Sequence, residues 1–408
     1  MSPGDAATKE GSGAALSADL RSSASSAFRH RASPEAVVVG GGMIGSSIAY
    51  HLARAGVRTL LIEQGDLASG ASGANFGNVQ VEDAEFGLSL ELTLRSYARF
   101  ASLEAELDYD LHYRRSGNLL LVGNERQWAL MRERLATLLA AGVRAELLGR
   151  DEACRLEPVL APEAITGALY NPDEGTLDPF RLVHAYALRG RGAGLEVWTH
   201  TRVAGIEVRG GHVIGVNTPR GSVPAQWVIL ATGAWARELG QTAGVELPVE
   251  WVHGEALITE PLPPAARNAM TTAAFFEATE GAGEQSVGFC LRQRPRGNLM
   301  LGEAARVTRQ LSRASTATAL PAVATEARRW LPVLRHAAVI RGWAIPVAFT
   351  ADRRPLLGPV EGVAGLLVAT ALKSTIILTP LVGELMAGMV TGATPDPRLA
   401  EFSPSRIL

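Results

Sequence analysis

AVVVGGGMIGSSIAYHLARAGVRTLLIEQGD, residues 36–66, carries the reading of the fold. Val37, Val38 and Val39 form a short β-branched run of the kind that fills a buried strand, and Gly40, Gly42 and Gly45 follow in G-x-G-x-x-G spacing. The spacing of Ile44, Ile48, Leu52 and Ala55 predicts a helix that stops at Gly56. A second strand, 59–62, then ends on Glu63, 18 residues after the third glycine. A glycine triplet alone is also what a plain strand-to-helix turn contains. Strand, glycines, helix, strand and terminal acid in one unit are the context that marks a dinucleotide site.

Each part answers a physical need. Gly40 permits the tight turn, Gly42 lets the backbone approach a pyrophosphate, and Gly45 lets helix and strand pack closely, while the helix start at Met43 and Ile44 offers free N–H groups to phosphate. Glu63, with Gln64 beside it, would accept hydrogen bonds from a ribose diol and would repel a 2′-phosphate, which argues against NADP. The motif does not separate FAD from NAD.

Outward from this unit, 408 residues suit two intertwined domains. A net charge of −2 leaves no electrostatic footprint for nucleic acid. Cys154 and Cys290 show neither CxxC nor Cys/His spacing, so no metal site is expected and both read as reduced thiols of a cytoplasmic protein. Residues 1–33, rich in Ser, Ala and Gly, read as a disordered extension without a signal-peptide core. The most apolar stretch, 375–390, is interrupted by Pro380, Gly383 and Glu384, so no membrane span is expected. An N-terminal βαβ unit, a middle of alternating strands and a C-terminal strand, loop and helix imply one α/β domain with another inserted into it.

The next segment, GDLASGASGANFGNVQVED (65–83), resembles the glycine-rich loop after the first βαβ unit in the D-amino acid oxidase family of FAD enzymes. That family includes glycine and sarcosine oxidases and the opine and hydroxyproline dehydrogenase flavoprotein subunits. Further resemblances run from about residue 35 to the end: YRRSGNLLLV (113–122), GTLDPFRLVHAYALRGRGAGLEVWTHTRVAGI (175–206), VILATGAWA (228–236), VHGEALITEP (252–261), GNLMLGE (297–303) and the closing segment 341–388. The resemblance implies a Rossmann-like FAD-binding domain from segments 34–85, 150–240 and 336–408, with an inserted α+β substrate domain from 86–149 and 241–335 on a mostly antiparallel sheet. It places Ser69, Ser72, Asn75, Phe76 and Gly77 near the flavin, Val203 at the adenine, and Ala231, Thr232, Gly233 and Trp235 in the turn after a buried strand.

Lys373 is one of only two lysines, against 37 arginines, and sits in ALKSTIILTP (371–380). In relatives this loop wraps the pyrimidine end of the flavin. Lys373, Ser374 and Thr375 are thus candidate cofactor contacts, with a helix expected to start near Pro380. A fixed cation there would favour reduced flavin or hold a substrate carboxylate; otherwise Lys373 is a solvated charge.

Departures from the family pattern matter too. By resemblance, Ile345 stands where some members keep a carboxylate-gripping arginine or a flavin-linked cysteine, and Ile377 where sarcosine oxidases keep a carboxylate-binding lysine. Non-covalent FAD is therefore expected. Either the acid is held elsewhere, by Lys373, Arg292 or Arg115, or the substrate is an amine or a bulkier N-substituted amino acid. His253 and His112 are further candidates to face the cavity.

Flavin amine oxidation needs a neutral nitrogen, an aligned α-hydrogen and exclusion of water, so the absence of a Ser/His/Asp arrangement is no objection. The expected activity is oxidation of the C–N bond of an amine or amino acid to an imine, with an electron-accepting partner subunit as one route of reoxidation. Two alternatives stand beside it: a nicotinamide-dependent dehydrogenase, and a non-catalytic flavin-containing subunit of a hetero-oligomer.

Overall fold

The computed structural model describes residues 33–277 and 286–407. The extension expected to be disordered, 1–33, lies outside the described residues save for Ser33. The opening strand, Ala36–Val39, is at most 5% exposed because it occupies the middle of a six-stranded sheet. The order across that sheet is Leu356–Pro359, Leu366–Thr370, Trp227–Leu230, Ala36–Val39, Thr59–Ile62 and Glu196–Trp198. All neighbours run parallel except Leu356–Pro359, and Val38 lies between Ile229 and Leu61. A strand paired on both edges and covered on both faces has no polar side, which is why the sequence shows an unbroken apolar run rather than alternation.

On one face lies the helix Met43–Arg54, whose Ile44, Ile48 and Leu52 pack with Leu381, Val382 and Met386 of the helix Thr375–Thr391. On the other face the small sheet Gly205–Arg209, His212–Thr218 and Gly221–Pro224 brings Val213, Val216 and Val223 against Val37, Val39, Leu60 and Ile62.

The second large sheet has eight strands, in the order Val339–Phe349, Glu250–Pro261, Asn298–Thr308, Ser286–Gln293, Ala269–Thr272, Asn118–Val122, Gly167–Asn171 and Glu146–Gly149. It is antiparallel apart from the pairing of Ala269–Thr272 with Asn118–Val122. The helix Ala319–Trp330 covers one face with Val323, Ala327 and Trp330 on Leu257, Leu291, Leu299 and Leu301.

Two expectations need correction. The segments 150–240 and 336–408, assigned whole to the nucleotide domain, each contribute a strand to the second sheet: Gly167–Asn171 and Val339–Phe349. Short strand segments of this kind carry no local signal of which sheet they join. The last helix begins at Thr375, not near Pro380, which sits inside it. Neighbouring helices bond the backbone on either side of the ring: the Ser96 hydroxyl accepts the Leu381 amide at 3.3 Å, and Ser47 Oγ donates to the Thr379 carbonyl at 2.9 Å. No helix among the described residues is long and apolar enough to cross a membrane.

The crossing of those helices depends on Gly383, where an added Cβ would lie 2.1 Å from Ser47 Oγ. Gly383→Ala is expected to destabilise the protein by about 1–3 kcal/mol through overpacking, read as a lowered denaturation midpoint with an unchanged slope.

Candidate functional site

Between the two sheets lies a cavity of about 420 Å³. One end is built by the glycine turn. Gly40 has φ +108°, and a Cβ there would lie 2.4 Å from the Ala231 carbonyl. A Cβ on Gly45 would lie 1.9 Å from the Gly40 carbonyl oxygen, so only glycine lets the helix come this close to the strand. Gly42 faces Ser72, whose Oγ accepts the Met43 amide at 2.9 Å. The Ile44 amide, at a cavity-lining residue, finds no acceptor among the described residues. Glu63 closes this end: its carboxylate accepts the Gly41 amide at 2.7 Å and the Gly65 amide at 2.8 Å.

Further along, the cavity is lined by Gln64, Ser72, Asn75, Phe76, Val203, Ala231, Thr232, Gly233, Trp235 and Thr375, all expected cofactor contacts. The buried Thr232 Oγ1 has no hydrogen-bond partner among the described residues. An extended dinucleotide with a diphosphate fits this set: a helix start with an open amide, a cradle that any Cβ would fill, and an orphaned buried hydroxyl. At the far end, Phe76 and Trp343 lie 6.5 Å apart between ring centres, tilted by 43°, with Ile345 beside them in the wall.

Other expected contacts stand behind the wall rather than in it. Gly45 is the packing contact just described. Ser69 lies under Gly65, where a Cβ would meet its Oγ at 2.8 Å. Gly77, at φ +93°, makes room for Arg292, whose Nη1 would be 2.0 Å from a Cβ there.

The three expected catalytic residues are not brought together at the cavity. Arg292 is buried and donates from Nη1 to the Phe76 carbonyl at 2.7 Å and to the Leu177 carbonyl. Burial, with the nearby Arg294 charge, pushes its guanidinium down to about 10. It clamps the glycine-rich loop. His253 is buried, with Nδ1 3.3 Å from a Glu255 carboxylate oxygen. Glu255, not His253, lines the cavity. Lys373 Nζ pairs with Glu85 at 2.7 Å and lies 5.6 Å from the Phe276 ring centre, while Ser374 Oγ donates to Asp83 at 2.8 Å. Burial would raise the Glu85 carboxyl, but the Lys373 hydrogen bond and charge outweigh it and hold it below the usual range. Arg115 lies over Tyr97 and His112 pairs with Asp110, both away from the cavity. Ile377 is fully buried in the apolar core.

The turn that carries Lys373 does shape the cavity. Ala371, which lines it, and Ser374 both adopt left-handed backbone, at φ 56° and 54°. Two such non-glycine residues so close together store strain of the kind found around ligand loops. Sequence reasoning missed Glu255, Glu303, Arg313 and Trp343 in the wall. The available signal for Glu303 was an acid set inside the otherwise apolar run LMLGEAA, 299–305.

Comparison with known proteins fits this geometry. The DAO family model, described as FAD dependent oxidoreductase, matches residues 35–389. Glycine oxidase of Geobacillus kaustophilus is 30% identical over 382 residues, covering 91% of this chain and 97% of that one. A crystal structure of glycine oxidase from Geobacillus kaustophilus aligns with a TM-score of 0.82 at 27% identity, covering 91% and 98%. Mitochondrial dimethylglycine dehydrogenase of Mus musculus is 26% identical over 91% of this chain, which spans 44% of that longer protein. L-proline dehydrogenase from P. horikoshii shares the fold, with a TM-score of 0.83 at 23% identity over 92% and 98% of the two chains.

Two substitutions separate the clamps from the cavity. Arg292→Met leaves two buried carbonyls unpaired and is expected to cost about 2–4 kcal/mol and to weaken FAD retention, read by denaturation and by the flavin-to-protein absorbance ratio. Lys373→Met removes a partly exposed pair worth about 0–1 kcal/mol and is expected to leave the rate of flavin reduction within about threefold of the wild type.

Proposed function

Since the chain belongs to the D-amino acid oxidase family of FAD-dependent oxidoreductases, we propose that it holds FAD non-covalently and oxidises the C–N single bond of a small amine or amino acid to an imine, which water hydrolyses. The observation that carries the reading is the single cavity running from Glu63 and the glycine turn to the chamber at Phe76, Trp343 and Ile345. FAD, when bound, supplies the two-electron acceptor for the hydrogen on the carbon next to nitrogen. The protein's part is positioning and exclusion of water. Phe76, Trp343 and Ile345 give the chamber apolar walls, which favours a desolvated, neutral nitrogen. The helix that starts at Thr375, a lining residue, brings its positive dipole end to the cavity, where it would favour negative charge on the reduced cofactor.

Non-covalent attachment is supported by the lining itself, which contains neither cysteine nor histidine among the described residues. The nicotinamide-dependent alternative is set aside by the family match, which continues through the closing segment to residue 389. The expected result is a yellow protein that releases its chromophore on denaturation and is bleached without oxygen by N-alkyl amines or N-alkyl amino acids. Bound flavin that no such compound bleaches would instead favour a non-catalytic flavin subunit. Reoxidation by air or only by an added electron-accepting dye then separates oxidase from dehydrogenase.

A further inference from the structure

Glu303 lies in the cavity wall on the strand Asn298–Thr308, alongside Glu255 and Ala256 of the neighbouring strand. Among the described residues, no hydrogen bond or ion pair is made to its carboxylate, and burial alone raises its carboxyl. Glu255, also in the wall, is already satisfied by the Thr316 amide and hydroxyl, both at 2.8 Å. Half-buried Glu303 and exposed Glu238 are thus the acids of this wall without a protein partner among the described residues, and Glu303 is the one beside Phe76, where a ligand that displaced its water would have to supply a cation or donor.

Its surroundings name the partner. The Phe76 ring packs on Gly302, the residue before Glu303, so closely that a Cβ there would lie 2.6 Å from the ring. Trp343 stands beyond Phe76. A carboxylate in a wall shared with aromatic rings offers an alkylammonium both a counter-charge and ring surface. The charged lining residues are Glu63, Glu238, Glu255 and Glu303 against Arg202 and Arg313. Arg202 adjoins Val203 in the nucleotide half, and Arg313 lies over Trp235 at 5.6 Å from its ring centre. Arg292 and Lys373 are engaged elsewhere, and Ile345 offers no charge.

We propose that Glu303 receives the substrate's ammonium group as it enters, the ammonium proton then passing to solvent to leave the neutral nitrogen that oxidation needs, and that it makes this enzyme select alkylamines over substrates that carry a carboxylate. The proposal rests on the amine-oxidising reading above and deepens it.

The test uses FAD-loaded wild type, Glu303→Gln, Glu303→Asp and Arg313→Gln without oxygen. The probes are N-methylbutylamine and 4-(methylamino)butanoate, the same chain ending in an acid. Binding is read from perturbation of the flavin spectrum and from the concentration dependence of bleaching. The wild type is expected to bind the amine about tenfold tighter than the acid, Glu303→Gln to weaken amine binding about tenfold with little change in the limiting bleaching rate, and Glu303→Asp to recover part of the loss. The flavin-to-protein absorbance ratio identifies any variant that has lost its cofactor. If Glu303→Gln fails that check, the wild-type preference and Glu303→Asp decide. Equal amine binding by Glu303→Gln and wild type overturns the proposal, as does tighter binding of the acid probe that Arg313→Gln abolishes. Wild-type flavin unaffected by either probe, or by any amine or amino acid, removes the amine-oxidising reading itself. Bleaching by amines with no dependence on Glu303 removes only this assignment.

Discussion

The close approach of the Gly45 backbone to the Gly40 carbonyl is the constraint on which the rest depends. It fixes the helix Met43–Arg54 against the central strand, and the same turn presses Gly40 onto the Ala231 carbonyl of the next strand. Any side chain at these points would push the layers apart and move the helix start away from the cavity. The last helix then docks on the first through Gly383 and Ser47, so a backbone contact at residues 40–45 governs where residues 375–391 lie.

The glycine-rich loop meets a different constraint. It passes between the two sheets, where backbone polar groups cannot rely on water, and each must find a protein partner. Asn75 accepts the Gly77 amide, and Asn78 and Val79 pair with Thr176 and Gly175 respectively. Glu174, fully buried and with its carboxyl pushed well up by burial, accepts the Val81 and Glu82 amides. Arg134, sandwiched between Phe86 and Phe276, donates to the Glu82 and Ala84 carbonyls. Arg292 holds Phe76, and Lys373 and Ser374 hold Glu85 and Asp83. Two rare buried or half-buried cations expected to meet substrate are instead parts of this loop's support.

This explains which parts of the site were legible. Residues 36–66 and the loop after them declare themselves because their chemistry is local: spacing within a turn or between adjacent elements decides it. Partner choice across the chain does not. Arg292 and Phe76 are 216 residues apart and Lys373 and Glu85 are 288 apart, and nothing in ALKSTIILTP, or in FCLRQRPRGN (289–298) around Arg292, encodes those meetings. The membership of Gly167–Asn171 and Val339–Phe349 in the second sheet failed for the same reason, since strand pairing is a long-range fact. Pro380 misled because a proline favours a helix's first turn but is tolerated inside a helix held by its neighbours, as here, where Ser96 and Ser47 bond the backbone on either side of it.

Loss and gain of charge in the cavity point the same way. The substitutions Ile345 and Ile377, read against the family resemblance, left open whether another cation had replaced the usual carboxylate anchors. The geometry closes the nearest routes: Ile377 is core, Arg292 and Lys373 serve the loop, and Arg115 lies outside. What remains in the cavity wall is Glu303, next to the Gly302 on which Phe76 packs, with Arg313 over Trp235 and Arg202 beside Val203 as the lining cations. A half-buried carboxylate raises the cost of bringing a second carboxylate near it and lowers that of bringing a cation, and both effects grow as water leaves. The absence of the anchors and the presence of Glu303 are therefore not independent oddities, because an acid in that wall would oppose the very ligand group the anchors hold.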